Sequence, residues 1–205
     1  MRLLSTLTFA AVLTAAPGPA VAGPLHDAAR AGDRALLAQL LRDGANIDEQ
    51  DETGETALIA AALAGNGKVI DQLLVAGADA SIRDNNGLSV LHAAAAGGDA
   101  EGVHLLLGEA YHSQRVDIDD KENERGITPL IAAVEASEGD IVAYLVSLGA
   151  DKEIVDKDGS TALTIAGKKD HDKIVTLLLR VGAACQEIDP TWKVECDKRR
   201  SALGI

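Results

Sequence analysis

A unit of about 33 residues recurs along this chain, and the recurrence limits the fold more than any other feature of the sequence. Five leucines mark the units, and they are separated by 33, 33, 39 and 33 residues: Leu25, Leu58, Leu91, Leu130 and Leu163. Glycine stands four residues before the leucine in four units (Gly54, Gly87, Gly126, Gly159) and nineteen residues after it in four (Gly44, Gly77, Gly149, Gly182). A fixed register of this kind predicts a stack of similar units, each packed on its neighbours.

Each unit combines an alanine-rich segment with a Leu/Ile/Val-rich segment. Ala60–Ala62 and Ala93–Ala95 illustrate the first type, and Leu36–Leu41 illustrates the second. The small alanine side chains let backbones approach closely. Aromatic residues, which favour β-sheets, make up only 2% of the chain. The pattern therefore favours helices, with glycine in the left-handed conformation where the second helix of a unit ends.

The units resemble the ankyrin repeat, a β-turn followed by two helices with a T-P-L-H-x-A signature. Thr128–Ile131 carries this signature best, whereas proline is replaced by Ala57, Val90 and Ala162. The usual glycine between the two helices is Ser137 in the fourth unit and Asp170 in the fifth. The resemblance implies an all-α repeat solenoid of five ankyrin repeats, capped at both ends. The expected repeats are residues 23–51, 52–84, 85–123, 124–156 and 157–189, with a capping tail at 190–205.

Residues 1–22 have the pattern of a cleaved signal peptide. Arg2 precedes an apolar stretch from Leu3 to Ala16, and Ala20–Ala22 supplies small residues before a cleavage point at Gly23. Pro17 and Pro19 interrupt the segment, which disfavours a membrane span. We therefore expect export, a periplasmic location and a monomeric protein without a membrane span, although the extracellular space stays open.

Two cysteines, Cys185 and Cys196, stand near the C-terminal end. An exported protein can hold disulfides, and this spacing lacks the CxxC pattern of redox or zinc sites. We expect a bridge that ties the tail, with Trp192 beneath it, onto the last repeat.

The third unit has six extra residues between Leu107 and Gly126. A longer outer helix with a longer connection is one interpretation. The alternative is a partner contact through Tyr111, His112 and Arg115, because insertions in repeats often form binding loops.

No catalytic, metal or nucleotide motif accompanies the histidines. The resemblance implies that His26 and His92 hydrogen-bond between turns. The net charge of −13 and the shortage of aromatic residues disfavour nucleic acid. We predict a non-enzymatic protein with no cofactor and no metal site.

For ankyrin proteins, the resemblance implies that partners contact the turns and the inner-helix ends on the concave face. Leu63, Leu88 and Ile127 are large apolar residues at such positions, and we expect them to form one exposed stripe. Their alternative role is to cover neighbouring turns. The full set of candidate partner-binding residues is Leu63, Leu88, Arg125, Ile127, Glu55 and Glu135.

We therefore expect a protein-binding scaffold in the periplasm. An immunity-type inhibitor of a toxic enzyme in the same compartment is the alternative within this class. An enzyme with a site that no motif reveals is the alternative outside it.

Overall fold

The computed structural model describes residues 23–108, 116–122, 124–185 and 190–205. The predicted signal segment, residues 1–22, lies outside the described residues, and so do Tyr111, His112 and Arg115 of the insertion.

The described residues contain eleven α-helices, and their only β-type pairing is an isolated bridge between Gln50 and Thr56. Ten helices form five consecutive pairs in chain order, and the eleventh follows them. The helices are α1 (Pro24–Ala31), α2 (Arg34–Arg42), α3 (Ala57–Leu63), α4 (Gly67–Val75), α5 (Val90–Ala96), α6 (Ala100–Leu107), α7 (Pro129–Glu135), α8 (Gly139–Ser147), α9 (Ala162–Lys168), α10 (Asp172–Arg180) and α11 (Pro190–Ala202). The expected all-α repeat solenoid is confirmed, and each helix pair falls within one of the expected repeat ranges.

The inner helices α1, α3, α5, α7 and α9 pack side by side, each on the next. Their threonines provide N-caps: the hydroxyls of Thr56, Thr128 and Thr161 accept hydrogen bonds from the backbone N–H three residues later. Such caps satisfy one of the free donors at a helix start. The seven-residue helices α3, α7 and α9 can therefore begin at the same position in their units.

Alanine allows these inner helices to approach closely, as the sequence suggests. Ala60–Ala62 and Ala93–Ala95 are fully buried. The outer helices add larger side chains such as Leu73 and Leu145, and together they form one continuous apolar core. Because no single pair can bury its own apolar face, stability depends on contacts between neighbouring pairs.

Left-handed residues end the helices as predicted. Gly44, Gly77, Gly149 and Gly182 follow the outer helices with φ between 84° and 95°. Ser137 and Asp170 replace glycine between the two helices, and they adopt φ of 67° and 57°. These two side chains therefore occupy a conformation that costs L-residues free energy.

The third helix pair lacks the longer outer helix that one interpretation of the six extra residues predicts. The outer helix α6 ends at Leu107, and it has eight residues where α4, α8 and α10 have nine. The expected extension of this helix is therefore wrong. The chain leaves the helix at Gly108, whose backbone is extended with φ of −74° and ψ of 158°.

The C-terminal helix α11 covers the last inner helix. The predicted disulfide joins Cys185 and Cys196, whose Cα atoms are 5.8 Å apart, and Cys196 is fully buried. Trp192 is also buried, and its ring lies against Gly167 of α9. Arg199 of α11 forms an ion pair with Asp172 at 2.5 Å.

Among the helices in the described ranges, none combines the length and the apolar composition that crossing a bilayer requires.

Candidate partner-binding surface

A carboxylate opens the turn before each inner helix from α3 to α9. The side chains of Asp51, Asp84 and Asp156 accept hydrogen bonds from the N–H groups two and four residues later, at 2.7 to 3.0 Å. The backbone N–H of the same aspartate donates to the carbonyl four residues later. These bonds fix the direction in which the exposed turn residues project.

Glu122 replaces aspartate in the fourth turn, which is one residue longer. Its carboxylate accepts from the N–H of Glu124 at 2.7 Å, of Arg125 at 2.5 Å and of Ile127 at 3.3 Å. Burial of the carboxylate opposes ionisation, but these three hydrogen bonds outweigh burial and hold the pKa of Glu122 below its usual value. The additional methylene of glutamate thus lets one side chain span the longer turn.

Two histidines tie an inner helix to the following turn. His26 Nε2 is 2.9 Å from the carbonyl oxygen of Glu55, and His92 Nε2 is 3.0 Å from that of Ile127. Their implied role between turns is confirmed. Burial is the main cause that lowers the pKa of His92.

Ser89, His92 and Asp120 form a cluster whose residue types match a catalytic triad. Ser89 Oγ lies 2.8 Å from His92 Nδ1, and Asp120 Oδ2 lies 3.9 Å from that same nitrogen. In a triad the serine and the carboxylate use opposite ring nitrogens. Here His92 is 0% exposed, and Asp120 pairs with Arg83 at 2.5 Å. The cluster therefore holds neighbouring turns together.

Glu55, one of the predicted partner-binding residues, forms an ion pair within its own chain. Arg30, in the last turn of α1, contacts the Glu55 carboxylate at 2.6 Å and the Asp51 carboxylate at 3.7 Å. The Glu55 side chain is 14% exposed. This ion pair bridges the first and second helix pairs on the concave face.

The apolar stripe predicted from Leu63, Leu88 and Ile127 is not present as such. Leu63 is exposed at 42%, and Leu88 is half-buried against the core. Ile127 is only 5% exposed, so its expected exposure is wrong. The lengthened turn directs the Ile127 N–H to Glu122 and its carbonyl to His92, and the side chain joins the core.

The other two predicted residues, Arg125 and Glu135, pair with each other. Their side chains form two hydrogen bonds, of 3.0 and 2.7 Å, between the fourth turn and the end of α7. This fork geometry is among the stronger charged contacts in proteins. The pKa of Arg125 is raised, chiefly because its guanidinium donates to the Glu135 carboxylate.

The inner-helix ends therefore change character along the stack. The row begins with the Arg30–Glu55 pair, continues with uncharged residues and then reaches the Arg125–Glu135 pair. The exposed or half-buried residues between the two pairs are Leu63, Ala64, Gly65, Leu88, Ala96 and Gly97, which we call the central patch. Lys168 and Lys169 at the end of α9 close the row.

Sequence reasoning missed the two ion pairs because Glu55, Arg125 and Glu135 looked like separate contact residues. The register of the repeats contained the signal for the Arg30–Glu55 pair. Arg30 and Glu55 occupy corresponding positions to Leu63 and Leu88, one unit earlier. The described residues hold no group of three or more His, Cys, Asp or Glu side chains placed to bind a metal ion.

A family model described as ankyrin repeats (3 copies) matches residues 25–120 and 110–189. The chain is also similar to the nuclear factor NF-kappa-B p105 subunit of Rattus norvegicus, with 39% identity over 64 residues. This match covers 31% of the chain and 7% of the rat protein, so the chain spans a small part of that relative.

Proposed function

The chain belongs to the ankyrin repeat family, whose members are protein–protein interaction scaffolds, and from this we propose that it is a non-enzymatic scaffold of the periplasm that binds a partner protein through its concave face. The protein acts as a monomer in this proposal. Its stack is closed at the C-terminal end by α11.

The observation that carries the proposal is the central patch. Leu63 exposes 42% of its surface at the end of a helix whose other residues are buried. The end of the next inner helix, α5, offers only Ala96 and Gly97 there, so a partner can approach the backbone closely. Exposed apolar groups inside a charged rim are typical of the centre of a protein interface.

Two fixed ion pairs form that rim. Because Arg30–Glu55 and Arg125–Glu135 are already paired, their side chains lose little freedom when a partner binds. The surface is therefore organised before binding.

The periplasmic part of the proposal rests on other residues. The apolar N-terminal stretch ending at Ala22 has the pattern of an export signal, and α1 begins directly after it at Pro24. The Cys185–Cys196 bridge suits an oxidising compartment.

Photo-crosslinking tests the proposal. A photoreactive phenylalanine analogue replaces Leu63 or Ala96 in the concave face, and Val75 in a matched control, since Val75 is 73% exposed at the end of outer helix α4. After crosslinking in cells, periplasmic extract is analysed by mass spectrometry. We expect one partner protein to crosslink from positions 63 and 96 and not from 75.

Crosslinks from position 75 alone would move recognition to the convex face and overturn the proposal. Recovery of a toxic enzyme whose activity falls on binding would identify the immunity-type alternative.

A further inference from the structure

Lys168 and Lys169 place two positive charges at the α9 end of the concave face, although the protein as a whole is acidic. Lys168 Nζ donates to Ser160 Oγ at 3.1 Å, and Lys169 Nζ donates to the Glu135 carbonyl at 3.4 Å. The Lys168 ammonium thus lies at the fifth turn, and the Lys169 ammonium lies at the end of α7. Within the described part of the chain neither forms an ion pair.

This arrangement differs from that of the other concave cations. Arg30 and Arg125 each contact a carboxylate of the chain at 2.6 to 2.7 Å. Each lysine ammonium carries three donors, and the described contacts use one of them. The remaining donors are available to acceptors from outside.

The distance from the central patch to the lysines follows from helix packing. Leu63 lies at the end of α3, and α5 and α7 separate α3 from α9, which ends at Lys168. Neighbouring packed helices are about 8 to 10 Å apart, so Leu63 and Lys168 are separated by about 24 to 30 Å. An extended chain rises about 3.3 Å per residue, so about seven to nine residues span this distance.

We propose that the concave face binds an extended acidic segment of its partner protein, with an apolar side chain on Leu63 of the central patch and a carboxylate about seven to nine residues away on Lys168 and Lys169. The inference rests on the proposed function and adds the chemistry of the bound segment and the spacing of its two contacts. Charge complementarity selects this occupant at the α9 end, because the described contacts of Lys168 and Lys169 are a hydroxyl and a carbonyl, whereas Arg30 and Arg125 already hold the carboxylates of Glu55 and Glu135.

The paired arginines also explain why the carboxylate binds at the lysine end. A carboxylate placed near Arg30 or Arg125 competes with an existing partner and faces repulsion from it. In the described part of the chain, no carboxylate forms an ion pair with Lys168 or Lys169, so an incoming carboxylate displaces no existing partner there.

A displayed library of random 12-residue peptides tests the inference on the purified protein that starts at Gly23. We expect enrichment of peptides with a Leu, Ile or Phe about seven to nine residues from Asp or Glu. Representative synthetic peptides, labelled with a fluorophore, are then titrated by fluorescence anisotropy. We expect the double variant Lys168→Glu/Lys169→Glu and the single variant Leu63→Glu each to weaken binding at least tenfold.

The control is Lys68→Glu/Lys173→Glu, which makes the same charge change at exposed lysines of outer helices α4 and α10. It should leave the affinity within twofold. Circular dichroism of all variants shows whether each remains folded, and the exchange Lys168→Arg/Lys169→Arg should retain binding.

Three outcomes would overturn the inference: no enrichment, enriched peptides without an acidic end, or binding that Lys168→Glu/Lys169→Glu leaves unchanged. If Leu63→Glu still abolishes binding in the last case, concave recognition stands and only the acidic segment is wrong. If neither Leu63→Glu nor the lysine variant changes peptide binding, the crosslinking result decides whether the concave face binds the partner at all.

Discussion

The indole ring of Trp192 lies against Gly167, in a place where any larger side chain at position 167 would overlap it. Gly167 is the counterpart of Ala62, Ala95 and Val134, which are buried against the next inner helix. Helix α11 thus contacts α9 through the Trp192 ring, on the side of position 167. The glycine makes room for an aromatic ring that seals the end of the stack.

Gly167→Ala should therefore destabilise the cap. A methyl group at this site forces the ring away, and overpacking of this kind costs about 1 to 3 kcal/mol. Because Trp192 is the only tryptophan, its fluorescence reports the cap directly. In the control Gly139→Ala, the new Cβ meets only Ile174 at 4.0 Å, so thermal stability and fluorescence should not fall.

Removing the disulfide should loosen α11 before the central pairs. In the chain-entropy model a loop of this size contributes about 3 kcal/mol. Cys185→Ala/Cys196→Ala should expose Trp192, measured as a red shift of its emission, while hydrogen exchange in α3 and α5 stays slow. Intact-mass analysis of the exported protein should show the loss of two hydrogen atoms. Two free thiols in that sample would contradict the bridge in the native compartment.

Glu122→Asp should destabilise the fourth turn, because the shorter side chain cannot reach three N–H donors across the longer loop. Hydrogen bonds to charged groups contribute about 1.5 to 3 kcal/mol, so we expect a loss of about that size in chemical denaturation. Glu124→Asp makes the same change at an exposed position of this turn and should cost less than about 0.5 kcal/mol. Equal effects of both variants would contradict the role of Glu122.

The turn carboxylates also predict the acid sensitivity of the fold. Burial opposes ionisation of Asp51 and Glu122, but hydrogen bonds outweigh it and leave both pKa values lowered in the folded state. A lowered pKa adds stability above the unfolded value, which is 4.5 for Glu122, and this stability is lost as pH falls through the folded value. The free energy of unfolding should decline below pH 4.5, and the decline should be smaller in Glu122→Gln.

Asp99→Asn should stabilise the protein. Asp99 caps α6 by accepting from the Gly102 N–H at 2.8 Å, but its second oxygen is buried without a hydrogen-bond partner, and burial raises the pKa of this carboxyl. Asn66 occupies the corresponding position one unit earlier and donates to the carbonyls of Ala29 and Arg30. An asparagine at position 99 provides an acceptor oxygen for the Gly102 N–H and removes the buried charge, although Asn66 itself does not cap α4 with its side chain. We expect a gain of about 1 kcal/mol at neutral pH.

The raised pKa fixes the sign of this effect. The folded protein holds the Asp99 proton more tightly than the unfolded chain, so the carboxyl opposes folding as pH rises through the unfolded value. The gain from Asp99→Asn should therefore shrink in acid. As a control, Asp99→Ala loses the cap and should cost about 0.5 to 2 kcal/mol.

Leu63→Lys and Ile127→Lys should have different effects although both residues were predicted to be exposed. Leu63 faces solvent, so its replacement should change stability by less than about 0.5 kcal/mol. Ile127 is buried, and an ammonium there costs about 3 kcal/mol or more. Thermal unfolding of the two variants separates them, and a folded, fully stable Ile127→Lys protein would contradict the corrected assignment.

The sequence by itself determined the repeating architecture. Leucines at a nearly constant spacing, threonine caps and glycines at fixed offsets act through neighbouring residues, so the helix pairs and their ends could be predicted from local pattern alone. The cysteine spacing and the placement of Trp192 were sufficient to predict the capped end. The histidine contacts between turns followed from the resemblance to ankyrin repeats.

Only the tertiary structure decided what the concave face presents. Arg30 and Glu55 are 25 residues apart, and their pairing depends on how one helix pair sits on the next. Ile127 was predicted to be exposed because its position in the repeat corresponds to that of Glu55. The fourth turn has one extra residue, Glu122 accepts hydrogen bonds across this longer turn, and the Ile127 side chain is buried. Exposure and charge compensation depend on contacts between units, and a periodic sequence does not encode such contacts position by position.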